Sequence, residues 1–188
     1  MIGNKKGMII GGGVLIKAFE AYQSLKIFEM ISDSMDNMKI TNVEVELWNK
    51  DYEAINLCYG NTNVKSRLAK KTPKKKGYFI AVWRKNNANM NEPFTYQSFQ
   101  DRLVVNVSDG HYKGQFVFPK SVLIEHGIVS SQDKKGKMAM RLYPSWETDL
   151  NKTAYHTQCW QTKYFVDLTY DVDLIKVNEL YFLNNNLK

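Results

Sequence analysis

Two short apolar runs, at 78–83 and 103–107, constrain the fold of this chain more than any other feature. The first reads YFIAVW and the second LVVNV. A strand that is apolar on both faces is covered on both sides by other parts of a protein. We therefore predict that both runs are buried strands, and that Phe79 and Trp83 lie nearly fully buried in a central strand.

Apolar spacing and turn signals divide the rest of the chain into helices and strands. Helices are predicted at 15–31, 121–126 and 150–168, and further strands at 43–48 (strand or loop), 52–59, 64–70, 115–118 and 138–143. Helices and strands do not alternate strictly, so we predict an α/β (α+β) fold with a mixed β-sheet flanked by helices. The length of 188 residues fits one domain at 19–188, with 1–18 as a flexible or weakly packed extension.

The N-terminal residues hold the one candidate for a targeting signal. Lys5 and Lys6 precede an apolar stretch at 8–16, but three glycines interrupt it and no clear cleavage site follows. A start-site extension is favoured, and secretion is the alternative. No apolar run reaches the roughly 18 residues that span a bilayer. The two distant cysteines, Cys58 and Cys159, form no zinc or disulfide pattern, so we predict a cytoplasmic protein without membrane contact.

Positive charge is concentrated in one segment, 54–91. It carries nine lysines and arginines and no acidic residue, whereas the whole chain has a net charge of only +7. A local basic patch attracts polyanions, and neighbouring aromatic rings can stack on bases. The basic residues of the segment are Lys65, Arg67, Lys70, Lys71, Lys74, Lys75, Lys76, Arg84 and Lys85. Nucleic-acid binding is one interpretation, and a solvated hairpin without a partner is the other.

A second group of residues comes from the strand at 138–143 and the last predicted helix. Alternation places Arg141 and Tyr143 on one strand face. With Trp160 and its helical neighbours His156 and Lys163, they would form a platform for stacking and phosphate binding. The alternative is that Trp160 packs in the core and Lys163 is solvated. Lys120 and Arg84 are candidates because they lie at strand ends, where a helix cap or an ion pair is the alternative role.

Several sequence strings, in their order and spacing, resemble the MepB-like family of small bacterial proteins. They are KKTPKKKGYF (70–79), WRK (83–85), GQFVFPK (114–120), GIVS (127–130), GK (136–137), RLYPSW (141–146), TQCWQ (157–161) and YF (164–165). The resemblance covers about 22–168. It implies a fold like the PD-(D/E)xK endonuclease core, a mixed sheet flanked by helices, and nucleic acid as the ligand.

Nucleases of this fold hold magnesium with an aspartate and a following acidic-x-lysine triplet. Asp101 would supply the first carboxylate, but the triplet position reads Gln115-Phe116-Val117, and Lys120 lies three residues too late. We therefore expect a degenerate active site with no catalytic residue and no metal ligand. The alternative is a magnesium-dependent nuclease with a displaced active site at Asp101, Gln115 and Lys120.

Two other acidic groups are weaker candidates for a metal site. The literal triplet Asp133-Lys134-Lys135 falls in a hydrophilic loop and follows no strand. Glu44 and Glu46 share one strand face and could bind a metal, but a solvated strand edge is the favoured interpretation.

The sequence thus predicts a protein that binds nucleic acid, with single-stranded DNA or RNA favoured and weak sequence specificity. It predicts no cofactor. A module that binds an acidic protein partner is a further alternative. The residues predicted to contact nucleic acid are Lys65, Arg67, Lys70, Lys71, Lys74, Lys75, Lys76, Arg84, Lys120, Arg141, Tyr143 and Trp160.

Overall fold

A six-stranded sheet and two smaller sheets make up the framework of the protein. The computed structural model describes residues 21–182. The strands are β1 (Ile40–Val45), β2 (Ile55–Tyr59), β3 (Thr62–Leu68), β4 (Lys70–Thr72), β5 (Lys75–Ala81), β6 (Trp83–Lys85), β7 (Asn91–Pro93), β8 (Arg102–Asp109), β9 (Tyr112–Pro119), β10 (Ala139–Leu142) and β11 (Phe165–Asp167). The helices are α1 (Gln23–Ser32), α2 (Lys120–Glu125), α3 (Lys152–Gln161) and α4 (Leu174–Tyr181), with 3-10 turns at Lys50–Tyr52 and Thr162–Tyr164.

The main sheet is mixed. Its strand order is β1-β2-β3-β8-β9-β11. Neighbouring strands are antiparallel except β3 and β8, which run parallel with Val64 opposite Arg102. The β2–β3 hairpin turns at Gly60-Asn61, between the strands predicted at 52–59 and 64–70, and Gly60 has a φ of 57°. The predicted mixed sheet flanked by helices is therefore confirmed.

Each face of the main sheet is covered by a separate hydrophobic core. On one face, α1 and α4 pack through Phe28, Val177 and Tyr181 against Val64 and Val104. On the other face, β5, β10 and α2 pack against the alternate residues of β8 and β9. Because side chains alternate along a strand, β8 supplies Val104 to the first core and Leu103, Val105 and Val107 to the second.

The apolar run at 78–83 is not part of the main sheet. β5 is the middle strand of a three-stranded sheet ordered β10-β5-β4, and Trp83 begins β6 in a separate two-stranded sheet. Tyr78 and Ile80 point into the core, whereas Phe79 and Trp83 are half-buried. The prediction that these two side chains are nearly fully buried is therefore wrong, because only one face of β5 packs on the core.

The predicted helix at 150–168 is shorter than expected. α3 ends at Gln161, and β11 then pairs antiparallel with β9. The Gln161 side chain fixes this boundary, since its Oε1 accepts from the Tyr143 N–H at 2.9 Å and its Nε2 donates to the Arg141 carbonyl at 2.8 Å. Both polar atoms of this buried glutamine are therefore satisfied, as buried polar groups normally are.

The predictions for the N-terminal residues can be compared with the structure only in part. The first part of the predicted helix at 15–31, and the extension at 1–18, lie outside the described residues. Within 21–182, no helix combines the length and apolar character needed to cross a membrane.

Candidate nucleic-acid interface

The outer face of the three-stranded sheet brings two cations and an aromatic ring into one row. Phe79 on β5 pairs with Lys70 on β4 and with Arg141 on β10. Paired residues project to the same side of a sheet. The row lies on the side away from the core because Tyr78, the next residue along β5, points inward. Alternation around one apolar strand thus produces a surface that is both cationic and aromatic.

Ring contacts extend this row to Tyr52. The Tyr52 and Phe79 ring centroids are 6.2 Å apart. Lys70 Nζ lies 5.6 Å from the Tyr52 ring centroid, and the Arg141 guanidinium carbon lies 5.8 Å from that of Phe79. Arg141 is held in place by an Nη1 hydrogen bond to Thr72 Oγ1 at 2.8 Å. A base that stacks on these rings would meet cations already placed for its phosphate.

The tip of the β4–β5 hairpin adds exposed lysines beside the row. Within residues 21–182, the ammonium groups of Lys74 and Lys75 have neither a hydrogen-bond partner nor an ion-pair partner. Lys71 pairs with Asp109 at 2.8 Å, and Lys76 pairs with Asp149 at 3.4 Å. Exposed ion pairs such as these contribute little stability, so both lysines remain exchangeable toward a phosphate.

We use the name basic surface for the outer face of the small sheet and the hairpin tip. It comprises Tyr52, Lys70, Lys74, Lys75, Phe79 and Arg141. Tyr143 adjoins it, since its ring lies over Gly77, where an added Cβ would come within 2.6 Å of the ring. Burial raises the pKa of Tyr143, so its hydroxyl stays protonated at neutral pH.

The structure places Lys65 and Arg67 in the interior, which corrects the prediction that they contact phosphate. Their exposed fractions are 3% and 0%, and both form ion pairs with the mostly buried Glu46. Lys65 Nζ also donates to Asn56 Oδ1 at 2.8 Å, and Arg67 Nε donates to the Ala81 carbonyl. These two cations hold β3 to the end of β1 and to β5, and leave the basic surface to other residues.

The buried ion pairs shift the protonation of their members. Burial lowers the pKa of Lys65 to about 8, even though the Glu46 carboxylate opposes this shift. Burial by itself would raise the pKa of Glu46, but the charges of Arg67 and Lys65 outweigh it and hold that pKa below its usual value. Glu46 is therefore ionised at neutral pH.

A polar cleft of about 330 Å³ opens beside these ion pairs, between the end of β1, the residues Asn56 of β2 and Lys65 of β3, and the segment at 84–100. Glu44 and Glu46 both line it, and Glu46 turns to Lys65 and Arg67. Arg84 also lines the cleft. It forms an ion pair with Glu92 at 2.7 Å, which is the alternative role considered for it from the sequence. Within residues 21–182, no group of three His, Cys, Asp or Glu side chains is arranged to hold a metal ion.

The structure does not bring together Asp101, Gln115 and Lys120. The residue opposite Gln115 in the β8–β9 ladder is Asn106, five residues beyond Asp101, which corresponds to about 17 Å. Lys120 does lie beside Asp101, since its backbone N–H donates to the Asp101 carbonyl at 3.0 Å. The Lys120 ammonium instead lies 4.4 Å from the Tyr96 ring centroid.

Gln115 belongs to a buried hydrogen-bonded chain on the opposite side of the sheet. Its Nε2 donates to Asn106 Oδ1 at 2.8 Å, and its Oε1 accepts from the Tyr181 hydroxyl at 2.7 Å. Asn106 Nδ2 donates in turn to Ser66 Oγ at 3.1 Å. This chain ties α4 to three strands and uses both polar atoms of the glutamine.

Trp160 is half-buried and packs against the second core. Its ring centroid lies 5.4 Å from that of Phe118, and its ring stacks on that of His126 with centroids 3.8 Å apart. Of the two roles considered for Trp160, packing against the core therefore describes its contacts. His156 is exposed on α3.

Sequence reasoning missed Tyr52 and the polar cleft as parts of a candidate site, and it assigned Phe79 to the core. Tyr52 lies only in a short 3-10 turn, and its closeness to Phe79 depends on the packing of β5 against that turn. For Phe79 the signal was present, because it lies between Lys70–Lys76 and Arg84 in the basic segment. An aromatic residue among cations suits a binding surface as well as a core.

Comparison with known proteins gives one family and two solved structures. A family model described as MepB-like matches residues 46–167. The crystal structure of MepB is similar to this chain at 40% identity and a TM-score of 0.69, over 78% of this chain and 97% of that chain. A bacterial homing endonuclease is similar at 16% identity and a TM-score of 0.43, over 80% of this chain and 91% of that chain, which is too distant for functional inference. No curated protein sequence matches the chain.

Proposed function

The chain belongs to the MepB-like family, and from this premise we propose that it is a nucleic-acid-binding protein that acts through its basic surface. One observation carries the proposal: Lys70, Phe79 and Arg141 lie side by side across three strands. Cations beside an aromatic ring meet both needs of a nucleic acid, which presents phosphates and flat bases.

A single strand of DNA or RNA is the ligand that this surface fits best. Its stacking groups are Phe79 on β5 and Tyr52 in the adjoining 3-10 turn, with ring planes inclined by 55°, so each ring can take one unpaired base. Within residues 21–182, no helix projects as a recognition helix that would enter a groove of duplex DNA. Contacts to phosphates carry no sequence information, so binding is weakly sequence-specific. The protein acts in the cytoplasm and needs no cofactor to bind.

The salt dependence of binding tests this proposal. For single strands, the logarithm of the affinity falls with the logarithm of the salt concentration, by about 0.7 per phosphate contact. We expect Lys74→Ala/Lys75→Ala to weaken the binding of single-stranded DNA and RNA equally across sequences. When the logarithm of the affinity is plotted against the logarithm of the salt concentration, the slope for the variant should be shallower by about 0.7 for each phosphate that it no longer binds.

A matched control separates this site from charge in general. Lys134→Ala/Lys135→Ala also removes two exposed lysines, but from the loop at 131–135 outside the basic surface. Equal losses in the two double variants would show that net charge, and not the basic surface, drives binding. Tighter binding to an acidic peptide than to nucleic acid at the same salt concentration would favour a protein partner.

A further inference from the structure

The polar cleft has the size and lining of a small-ligand site. Its volume of about 330 Å³ lies at the lower end of the range for ligand pockets. Trp48 stands at its rim with 37% of its surface exposed, and Phe94 lies inside. A flat heterocyclic ring is the ligand shape that such aromatic walls favour.

The charges of the cleft balance. Glu44 and Glu46 contribute two negative charges, and Lys65 and Arg84 contribute two positive ones. Glu46 and Lys65 are bound to each other, and Arg84 to Glu92. Since the cleft carries no excess positive charge, it suits a neutral group better than a phosphate.

Donors and acceptors are interleaved in its wall. Gln100 and Asn56 present side-chain amides, and Glu44 presents a carboxylate that forms no ion pair within residues 21–182. The guanidinium of Arg84 is a further group of the lining, and it is already paired with Glu92. The edge of a nucleobase carries donors and acceptors that match such a wall.

The cleft lies next to the basic surface. Trp48 and Tyr52 are only four residues apart, and the 3-10 turn at Lys50–Tyr52 lies between the cleft and the basic surface. Asn49 anchors this segment, as its Nδ2 donates to the Trp83 carbonyl at 2.8 Å. A strand lying on Phe79 and Tyr52 therefore lies within one short turn of the cleft residue Trp48.

We infer that the cleft is a pocket for a single nucleobase, with Trp48 as the stacking wall and Gln100 reading the edge of the base. The base comes either from a strand held by the basic surface or from a free nucleotide. Only the first source rests on the proposed function. Removing a base from a stack is easiest in a single strand, which agrees with the ligand class proposed above.

Free nucleotides test the cleft by itself. The probes are AMP, GMP, CMP and UMP, with ribose 5-phosphate as the matched ligand that lacks a base. In ¹H–¹⁵N spectra of the full chain, we expect saturable shifts of the Gln100 and Asn56 side-chain amides with at least one nucleotide and none with ribose 5-phosphate. Equal shifts with ribose 5-phosphate, or shifts confined to the lysines of the basic surface, would overturn the inference.

An oligonucleotide arm links the pocket to strand binding. Base stacking contributes about 5- to 150-fold in affinity per base. Trp48→Ala/Gln100→Ala should lose a factor of that size for a normal single strand, and lose nothing for a strand of abasic sites of equal length. Tyr170→Ala, which removes an 89% exposed aromatic ring elsewhere, is the control and should bind both strands as the wild type does.

The two failures are distinguishable. If no variant and no wild-type protein binds any strand, the proposed function fails while the nucleotide arm still reports on the cleft. If strands bind and the double variant matches the wild type on both of them, the pocket is refuted and the basic surface stands. Circular dichroism confirms that each variant is folded before binding is compared.

Discussion

The imidazole of His126 stacks on the indole of Trp160, with ring centroids 3.8 Å apart and planes inclined by 11°. Burial lowers the pKa of His126. The negative charge of Glu125 opposes this shift, whereas the positive charges of Lys137 and Lys163 add to it. The stack joins the end of α2 to α3, so the protonation of one residue affects the packing of two helices.

We predict that His126 titrates below its ordinary value of about 6.5. The neutral form is favoured in the fold, so the unfolded chain binds this proton first as the pH falls. Stability is therefore lost between pH 6.5 and the lower pKa of the folded state. NMR titration of the His126 ring and urea denaturation across this range measure the two effects. His126→Gln should remove this contribution to the pH dependence, and a midpoint at or above 6.5 would contradict the assignment.

The second prediction concerns the ion pairs that Glu46 forms with Lys65 and Arg67. Glu46→Gln leaves the buried cations Lys65 and Arg67 without a negative partner. Breaking a buried pair by removing one partner destabilises a protein by about 3–5 kcal/mol. Urea denaturation should show a loss of this size.

Glu44→Gln provides the matched control for Glu46. It makes the same chemical change at an exposed position two residues earlier, within β1, and surface changes of this kind stay within about 0.5 kcal/mol. An equal loss of stability in both variants would show that the buried ion pairs do not stabilise the fold.

The main sheet could be predicted from the sequence because its signals are local. The β2–β3 hairpin follows from Gly60-Asn61 between two strand-like runs, and the buried strand at 103–107 lies within β8. Such turn and alternation signals involve residues close together in the chain. The parallel pairing of β3 with β8 joins segments about 40 residues apart, and no local pattern predicts it.

Lys65 and Arg67 show why the site was harder to predict than the fold. Within the basic segment they cannot be told from Lys70 or Lys74 by residue type. What separates them is Glu46, which lies 19 and 21 residues away in the chain and joins them only after folding. A count of charges predicts a patch, whereas the burial of each charge depends on tertiary pairing.

Tyr181→Phe tests the buried chain around Gln115. It removes the hydroxyl that donates to Gln115 Oε1 and leaves that oxygen buried without this donor. An unsatisfied buried polar atom destabilises a protein by about 1–3 kcal/mol. Tyr170→Phe removes a hydroxyl from an exposed ring and should change nothing measurable by urea denaturation. A neutral Tyr181→Phe variant would show that the hydroxyl bond to Gln115 does not help to hold α4.

The last prediction is that highly purified protein cleaves neither DNA nor RNA in the presence of magnesium or manganese. A metal-dependent nuclease needs carboxylates close enough to share an ion and a cation at the reacting phosphate. Here Asp101 and Gln115 lie about 17 Å apart along the β8–β9 ladder, and both polar atoms of Gln115 are engaged with Asn106 and Tyr181. The Glu46 carboxylate is likewise committed to Lys65 and Arg67.

The assay for cleavage must separate this protein from trace contaminants. Labelled single strands and duplexes are incubated with wild type, Asp101→Ala and Glu46→Gln, each purified in parallel through the same columns. Residual activity of equal size in all three preparations identifies a contaminant. Cleavage that persists through purification and disappears in Asp101→Ala would establish a displaced active site near the start of β8. Loss in Glu46→Gln, with the fold retained, would place the chemistry in the polar cleft instead.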